Sequence, residues 1–324
     1  MTTKPRNSVV AITGATSGIG RATALEFARK GAYVIAGARR EDALRRLESE
    51  ANSLKGTVTG IAIDVTDQDE VRKLAHRALT DYGRIDVWVN NAVVTAFGRV
   101  EDVPLADFRR LWDVNVMGYL HGIRAVLPHM REQNAGVIIN VSSVVGRVGQ
   151  PYATAYTMTK HAIRALSIGL RQELMVDKIK GIDVCTVMPG STDTPLFQHG
   201  ANYTGWRAKP MSPVYPPAKV ARAIVACAKS PTPEVFVGGA PRMMYLQAHL
   251  APRIAERMLA RQVDKDHFDK SVHSERSAGN LYAPSADAGE TSGGWGGKKG
   301  LTLRRLATLG GAGLGAAWLL RRAD

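Results

Sequence analysis

The chain has 324 residues, which is enough for one α/β domain of about 250 residues and an appendage. Its 45% hydrophobic and 22% charged residues are typical of a folded globular protein, and its two cysteines provide neither a disulfide framework nor a metal-ligand spacing. The net charge of +14 would suit nucleic acid, but six basic side chains cluster in residues 298–324 and the others are dispersed. We therefore expect no nucleic-acid partner and no metal.

The beginning of the chain and its cysteines bear on the compartment. Residues 1–8 are polar and lack the apolar stretch of a secretory signal. Cys185 lies in the apolar run 182–187, which predicts a buried strand residue in a reducing environment. These features predict a cytoplasmic protein.

Seven apolar runs rich in β-branched residues alternate with helix-length segments from the start of the chain. Strands joined in this way form a parallel sheet with helices on both faces, and such sheets bind ligands at the carboxyl ends of their strands. We therefore predict a doubly wound α/β fold with a seven-stranded parallel sheet. The predicted strands are 9–13, 32–38, 57–63, 85–89, 137–141, 182–187 and 234–237.

The first turn of the predicted sheet has the composition of a phosphate-binding site. Residues 13–20, Thr-Gly-Ala-Thr-Ser-Gly-Ile-Gly, lie between the first strand and a helical pattern over 21–30. Glycine allows a tight turn and close approach to a pyrophosphate, and the helix N-terminus offers free N–H groups. No Gly-Lys-Ser/Thr follows, which excludes a P-loop. We expect pyrophosphate contacts from Gly14, Thr16, Ser17, Gly18, Ile19 and Gly20.

The residues after the second strand predict the choice of dinucleotide. An NAD site places a carboxylate there for the ribose hydroxyls, whereas this chain has Arg39 and Arg40. A guanidinium can form paired hydrogen bonds with a 2′-phosphate. Glu41 and Asp42 fit the first turn of the next helix instead. The pattern favours NADP(H), although both arginines could also be solvated surface charges.

Tyr156 and Lys160 are separated by one helical turn, which places them on one face of a helix. A phenol with a pKa of about 10 is a poor base near neutrality. A nearby ammonium is expected to lower the pKa of Tyr156 towards neutral pH and make it an acid/base.

Other polar residues follow predicted strands close to this pair. Ser143 lies 13 residues before Tyr156 and is positioned to hydrogen-bond a substrate carbonyl; Ser142 is the alternative, but the spacing favours Ser143. Asn115 is expected to hold a water or a backbone group in a proton relay. The loop after the sixth strand is expected to seat a nicotinamide through Pro189, Gly190, Thr192 and Thr194.

In this order and spacing, the motifs closely resemble the short-chain dehydrogenase/reductase (SDR) family over roughly residues 7–240. The resemblance implies a Rossmann fold, a nicotinamide cofactor, and a catalytic tetrad of Asn115, Ser143, Tyr156 and Lys160. It further implies that Asp64 and Val65 lie at the adenine, that Asn91 and Ala92 line the cofactor ribose, and that Tyr156 and Lys160 also contact the cofactor, Lys160 through the nicotinamide ribose. In one departure, Val93 replaces the family's usual glycine after Asn90-Asn-Ala, so its backbone must be ordinary or strained.

These residues predict an NADP(H)-dependent oxidoreductase that interconverts a carbonyl and a secondary alcohol. Two alternatives are a catalytically idle NADP(H)-binding sensor or scaffold, and a nucleotide-sugar epimerase or dehydratase, whose glycine spacing does not fit Gly14, Gly18 and Gly20. The segment 196–217 contains Phe197, Tyr203, Trp206, Met211 and Tyr215, which either bind a small hydrophobic substrate or only pack a lid. We also expect a homo-oligomer.

The sequence changes character after the catalytic domain, predicted over 1–240. Leu246, Leu250, Ile254 and Met258 recur every four residues and predict an amphipathic helical extension over 241–270, packed on the core or serving as a substrate lid. Residues 271–300 contain five serines and seven glycines, which predicts a flexible linker.

The last residues, 301–324, combine an apolar run with flanking arginine pairs. The run 306–320 has 15 residues, and as a helix of about 22 Å it would be shorter than the roughly 30 Å hydrocarbon core of a bilayer. Arginines and Trp318 suit a headgroup region. The alternatives are a disordered or core-docked tail and a peripheral membrane contact.

Overall fold

The computed structural model describes residues 5–285 and 289–296. A seven-stranded parallel sheet forms the centre of the fold, as the alternation of apolar runs predicted. Its strands, in chain order, are β1 Val9–Thr13, β2 Tyr33–Ala38, β3 Thr57–Ala62, β4 Val87–Asn90, β6 Gly136–Val141, β7 Ile182–Pro189 and β10 Glu234–Val237. Two further pairs of short strands flank it: β5 Ala96–Phe97 with β8 Ala201–Asn202, and β9 Trp206–Ala208 with β11 Phe268–His273.

Helices connect the strands and cover both faces of the sheet. They are α1 Gly18–Arg29, α2 Glu41–Ala51, α3 Gln68–Tyr82, α4 Leu105–Trp112, α5 Gly118–Gln133, α6 Thr154–Val176, α7 Leu196–His199, α8 Pro217–Lys229, α9 Gly239–Leu250 and α10 Pro252–Asp266. A π-helical turn, Asp113–Met117, joins α4 to α5, and a 3₁₀ turn, Val144–Gly146, follows β6.

The two faces of the sheet are buried in separate hydrophobic clusters. On β1, Val9 and Ala11 belong to one cluster, while Val10 and Ile12 belong to the other. This alternation follows from the two-residue period of a strand, and burial on both faces explains why the runs are almost wholly apolar. The strand order β10-β7-β6-β4-β1-β2-β3 places the reversal of winding between β4 and β1. A ligand is expected in the crevice at the carboxyl ends of these strands.

The extension beyond β10 differs from the predicted amphipathic helix packed on the core. The chain breaks between α9 and α10 just before Pro252, whose ring disfavours helical geometry in the preceding residue. The apolar stripe is therefore split over two helices, and it is exposed: Leu250 is 79% exposed and Ile254 is 61% exposed.

The prediction of a flexible linker over 271–300 is wrong for the part of it that the structure describes. Strand β11 pairs antiparallel with β9, and Ser277 exchanges two backbone hydrogen bonds with Asn202. Leu281 is fully buried in the main hydrophobic cluster. A few backbone hydrogen bonds and one apolar anchor order this segment despite its glycine and serine content.

In residues 5–285 and 289–296, no helix is both long and apolar enough to cross a bilayer. The predicted tail 301–324 lies outside the described residues.

Candidate active site

A cavity of about 1060 Å³ lies at the carboxyl ends of the central strands. It brings together nearly all of the predicted cofactor and catalytic residues. Only Gly20 and Asn115 of that set are not in its wall. The predicted residues that line it are Gly14, Thr16, Ser17, Gly18, Ile19, Arg39, Arg40, Asp64, Val65, Asn91, Ala92, Ser143, Tyr156, Lys160, Pro189, Gly190, Thr192 and Thr194.

The turn between β1 and α1 requires glycine for both conformation and space. Gly14 has φ +66° and Gly18 has φ +51°, in the left-handed region. A Cβ on Gly14 would lie 2.6 Å from Ala92 Cα, and a Cβ on Gly20 would lie 2.1 Å from the Gly14 carbonyl oxygen. Gly20 therefore contributes to the shape of the turn without lining the cavity. Ser17, which precedes α1, does not cap the helix with its side chain, so no side-chain cap competes with a ligand for the first N–H groups of the helix.

Hydrogen bonds join the end of β1 to the end of β4 at the reversal of winding. The Thr13 hydroxyl accepts hydrogen bonds from the backbone N–H groups of Asn91 and Ala92, at 3.1 and 3.2 Å. Asn91 Nδ2 donates to the carbonyl oxygens of Thr13 and Gly14, at 3.1 and 3.0 Å. Val93, which replaces the expected glycine, does not have a positive φ. The loop therefore does not depend on glycine there.

Arg39 and Asp64 are polar residues of the cavity wall, and they lie just after β2 and β3. Arg39 Nη2 donates to the Asn280 carbonyl oxygen at 3.0 Å, while Nη1 is buried without a hydrogen-bond partner among the described residues. Burial lowers the pKa of Arg39. A buried, unpaired guanidinium nitrogen is costly, and an anionic oxygen would satisfy it.

Asp64 is held by its neighbours in an ionised state. Its carboxylate accepts hydrogen bonds from the Thr66 N–H and hydroxyl, at 3.0 and 2.9 Å, and from Arg110 Nη2 at 2.9 Å. Burial by itself would raise the pKa of Asp64, but the hydrogen bonds from Thr66 and Arg110 together lower it. A charged acceptor therefore lines the crevice beside Arg39.

Helix α6 presents Tyr156 and Lys160 to the cavity on one face, as their spacing predicted. Lys160 is 1% exposed, and its Nζ lies 5.4 Å from the centroid of the Tyr156 ring. The same Nζ donates a 2.9 Å hydrogen bond to the Val141 carbonyl oxygen. At the end of β6, the Ser143 hydroxyl accepts from the Val145 N–H at 3.3 Å and donates to the Pro189 carbonyl oxygen at 3.4 Å.

The protonation of this pair differs from the expectation that Lys160 would lower the phenol pKa. Burial raises the pKa of Tyr156 well above 10, and a hydrogen bond with Ser143 offsets only part of that rise. Burial also lowers the pKa of Lys160 to about 7, because its ammonium is itself removed from water. At neutral pH the phenol therefore carries its proton, which suits a proton donor.

Asn115 lies behind the cavity wall, in the π-helical turn that joins α4 to α5. It is fully buried, and its side chain forms two 2.9 Å hydrogen bonds with the backbone N–H and carbonyl of Val94. Its Nδ2 also donates to the Thr159 hydroxyl at 3.1 Å. The sequence predicted that Asn115 holds a water or a backbone group, and its contacts among the described residues include the backbone of Val94. Asn115 thereby fixes the β4–β5 loop against α6.

The predicted aromatic segment 196–217 lines the cavity only in part. Phe197, Met211 and Tyr215 lie in the cavity wall, at the end that we call the substrate end. Tyr203 and Trp206 do not; the Tyr203 hydroxyl contacts the Asp107 carboxylate, and Trp206 is 40% exposed. Tyr203 is partly buried against the main hydrophobic cluster, whereas Trp206 is a surface side chain.

Several lining residues come from the C-terminal extension, for which the sequence predicted either a helix packed on the core or a substrate lid. Methionines of α9 and α10 lie at the substrate end: Met243, Met244 and Met258. Asn280 and Ser285 lie near the arginines, and the Ser285 carbonyl oxygen accepts a 2.7 Å hydrogen bond from Arg40 Nη1. Of these residues, only Met258 belongs to the apolar stripe that the sequence showed. The glycine- and serine-rich composition concealed Asn280 and Ser285.

His267, just after α10, also lines the cavity, and no sequence pattern indicated it. It is 3% exposed and packs edge-on against Phe97 and Phe197. Its Nε2 lies 3.2 Å from Gln150 Nε2, and burial lowers the pKa of His267 to about 4. The imidazole is therefore neutral at physiological pH.

Within residues 5–285 and 289–296, no group of three or more His, Cys, Asp or Glu side chains could hold a metal ion.

Comparisons with known proteins agree with this architecture. Residues 8–202 match the sequence profile of the short chain dehydrogenase family. An uncharacterized oxidoreductase of Bacillus subtilis, YxnA, is 33% identical over 281 residues, covering 86% of this chain and 79% of the relative. The 3-oxoacyl-(acyl-carrier-protein) reductase FabG of Thermotoga maritima is 36% identical over 220 residues, covering 67% of this chain and 88% of the relative.

Two solved structures share the fold. A short-chain dehydrogenase/reductase from Burkholderia phymatum, in complex with NAD, superposes with a TM-score of 0.70 at 25% identity, covering 78% of this chain and 96% of the other. An alcohol dehydrogenase from the archaeon Thermococcus sibiricus, complexed with 5-hydroxy-NADP, has a TM-score of 0.62 at 26% identity, covering 71% of this chain and 96% of the other.

Proposed function

The chain belongs to the short-chain dehydrogenase/reductase family of oxidoreductases, and we propose that it is an NADP(H)-dependent enzyme that interconverts a carbonyl and a secondary alcohol. The observation that carries the proposal is the convergence of Ser143, Tyr156 and Lys160 in the same cavity as the phosphate-binding turn. A proton donor and a dinucleotide site in one cavity are the two requirements of carbonyl reduction.

The protein's own residues supply proton transfer and orientation in the proposed mechanism. The bound nicotinamide supplies the hydride chemistry. Ser143 and Tyr156 direct hydroxyl groups at the substrate oxygen, and the phenol of Tyr156 gives its proton to the oxygen as negative charge develops. The buried ammonium of Lys160, 5.4 Å from the phenol ring, offsets the charge left on Tyr156. Asn115 is a positioning residue that holds the loop beside α6.

We assign the dinucleotide preference to NADP(H) because of Arg39. Its buried, unpaired Nη1 suits a 2′-phosphate oxygen, and its Nη2 is already held by Asn280. The structural relatives carry either NAD or an NADP derivative, so they do not decide between the two. In this proposal Arg39 and Arg40 bind the 2′-phosphate, Asp64 and Val65 border the adenine, and Asn91 and Ala92 line the ribose. The nicotinamide is then held by the loop 189–194.

The substrate is proposed to be a small hydrophobic carbonyl compound or alcohol. The substrate end of the cavity carries Phe197, Met211, Met243 and Met258, whose side chains favour apolar ligands. Neutral His267 and Gln150 add two hydrogen-bonding groups to that wall. Such a pocket would exclude strongly charged substrates.

A panel of ketones, aldehydes and secondary alcohols tests the proposal through the absorbance of NADPH. Turnover of at least one apolar compound, lost in Tyr156→Phe, is the expected result. Tight NADPH binding without turnover of any compound would favour the alternative, an idle NADP(H)-binding sensor or scaffold.

The compartment, the oligomeric state and the membrane contact of the enzyme are also proposals. We infer a cytoplasmic enzyme, a setting that suits two buried cysteines, Cys185 and Cys227, without a disulfide among the described residues. A homo-oligomer is supported by exposed apolar side chains on the adjoining helices α4 and α6, Trp112 and Met158. Residues 301–324 are proposed to add a peripheral membrane contact through their arginine-flanked apolar run.

A further inference from the structure

We propose that residues 289–296, here called the strap, occupy the phosphate-binding turn and must leave it before a dinucleotide binds. The inference rests on the proposed function, because the competing ligand is the dinucleotide of that site. The strap contacts two parts of the cavity: the N-terminus of α1, where the pyrophosphate is expected, and the loop after β7, where the nicotinamide is expected.

At the N-terminus of α1, the strap already uses the groups that would bind a phosphate. The Glu290 carbonyl oxygen accepts a 2.9 Å hydrogen bond from the Gly18 N–H and a 3.3 Å hydrogen bond from the Ser17 hydroxyl. Arg21 Nη1 donates to the Thr291 hydroxyl at 3.2 Å. A phosphate oxygen bonded to the Gly18 N–H would take the space of the Glu290 oxygen, so the two ligands exclude each other.

Asp193 anchors the other half of the strap. Its carboxylate accepts hydrogen bonds from the Ser292 hydroxyl at 2.7 Å, from the Gly293 N–H at 3.1 Å, and from the Trp295 N–H at 2.8 Å. A carboxylate that accepts three hydrogen bonds from one short segment forms a specific attachment rather than an incidental contact. Asp193 lies between Thr192 and Thr194, so the strap is attached to the loop expected to hold the nicotinamide.

Helix α7 adds a second attachment. Gln198 Nε2 donates to the Gly293 carbonyl oxygen at 2.6 Å, and Trp295 Nε1 donates to Gln198 Oε1 at 3.3 Å. The Trp295 ring packs edge-on against Phe197, with centroids 6.2 Å apart. Because Phe197 also lines the substrate end of the cavity, the strap connects both ends of the site.

The strap is held in a way that permits displacement. None of its residues is buried, and it has no strand pairing with the sheet. Four of its eight residues are glycines, which regain much conformational freedom on release, and this gain offsets part of the hydrogen bonding that is lost. A dinucleotide therefore competes with an internal ligand that can be released. Its apparent affinity is reduced by the fraction of molecules in which the strap is docked.

A matched pair of glycine variants tests this competition in the full chain. In Gly293→Ala, the new Cβ would lie 2.4 Å from the Thr194 carbonyl oxygen, so the strap cannot dock as it does in the wild type. In Gly239→Ala, at the start of α9, the new Cβ has nothing within 4 Å. We expect Gly293→Ala to bind NADPH at least about threefold more tightly than the wild type, and Gly239→Ala to match the wild type. Equal affinities in all three proteins would overturn the proposal.

Hydrogen exchange followed by mass spectrometry shows directly whether the strap leaves. In the wild type, NADPH should slow exchange in residues 13–20 and speed it in residues 289–296. Without NADPH, Gly293→Ala should exchange faster than Gly239→Ala in both segments. Slower exchange in both segments on adding NADPH would mean that the strap closes over the dinucleotide, which contradicts the competition.

The two proposals fail in different ways. If no variant binds a dinucleotide, Gly293→Ala included, the cofactor assignment itself is wrong and the competition fails with it. If all variants bind NADPH equally and the strap keeps its exchange rate, only the strap is wrong.

Discussion

The ammonium of Lys160 lies 5.4 Å from the centroid of the Tyr156 ring while it donates a 2.9 Å hydrogen bond to the Val141 carbonyl oxygen. That hydrogen bond holds the ammonium in place beside the phenol ring. Lys160 therefore acts on Tyr156 through its electric field, and its effect depends on whether it is protonated. Burial keeps the proton on Tyr156 and lowers the pKa of Lys160 to about 7, so Lys160 is the member of the pair that titrates near neutrality.

Replacement of Tyr156 tests the proton donor. Tyr156→Phe keeps the ring and removes the hydroxyl, so kcat should fall by about two orders of magnitude or more while NADPH binding is nearly unchanged. Tyr203→Phe is the matched control, because the Tyr203 hydroxyl contacts Asp107 and does not line the cavity. Steady-state kinetics and a binding titration measure both effects. Wild-type turnover by Tyr156→Phe would require a different acid.

The pH dependence of carbonyl reduction reports the state of Lys160. Below pH 7 its ammonium is charged and offsets the phenolate that forms on Tyr156; above pH 7 that charge is progressively lost. We therefore expect kcat for reduction to fall as the pH rises through about 7. Lys160→Met should be slow at every pH and lack this transition. A kcat that stays constant from about pH 6 to pH 9 in the wild type would contradict the assignment.

Arg39 should determine the preference between dinucleotides. Its unpaired buried nitrogen predicts that NADPH binds more than tenfold tighter than NADH, a difference of about 1.4 kcal/mol or more. Arg39→Ala should reduce that ratio, whereas Arg45→Ala, an exposed arginine on α2, should preserve it. Fluorescence titration with both dinucleotides measures the ratio. Equal affinities of the wild type for NADPH and NADH would refute the assignment to NADP(H).

Burial of His267 predicts acid sensitivity of the fold. Burial lowers the pKa of His267 from 6.5 to about 4, so between these pH values the unfolded chain binds a proton that the folded chain does not. The stability that comes from neutral His267 is complete above pH 6.5 and declines as the pH falls towards 4, by about 3 kcal/mol in total. His267→Gln should lose less stability than the wild type over this range. Urea unfolding at several pH values gives the comparison, and parallel curves would contradict it.

The arginine-flanked run in residues 301–324 predicts binding to anionic lipid. The full chain should float with anionic liposomes at low salt, and a chain ending at Gly300 should not. Both should retain reductase activity, because no described residue beyond Ser285 lines the cavity. Equal absence of binding by the two proteins would show that the tail is no anchor.

Local patterns in the sequence were enough to predict the sheet and many of the residues that line the cavity. A strand buried on both faces must be almost continuously apolar, which made each of the seven runs visible, and Tyr156 and Lys160 share a face because four residues nearly complete a helical turn. Gly14 and Gly18 have positive φ angles that favour glycine, so their role also follows from the local chain.

Tertiary structure decided what depends on contacts between distant segments. The hydrogen bond from Gly18 to Glu290 joins residues far apart in the chain, and no periodicity records it. The same is true of Leu281 in the core and of Asn280 beside Arg39. The expectation that Lys160 lowers the pKa of Tyr156 is wrong for a related reason. Spacing in the sequence shows that Lys160 is near, but the depth to which the fold buries both groups determines which of them loses its charge.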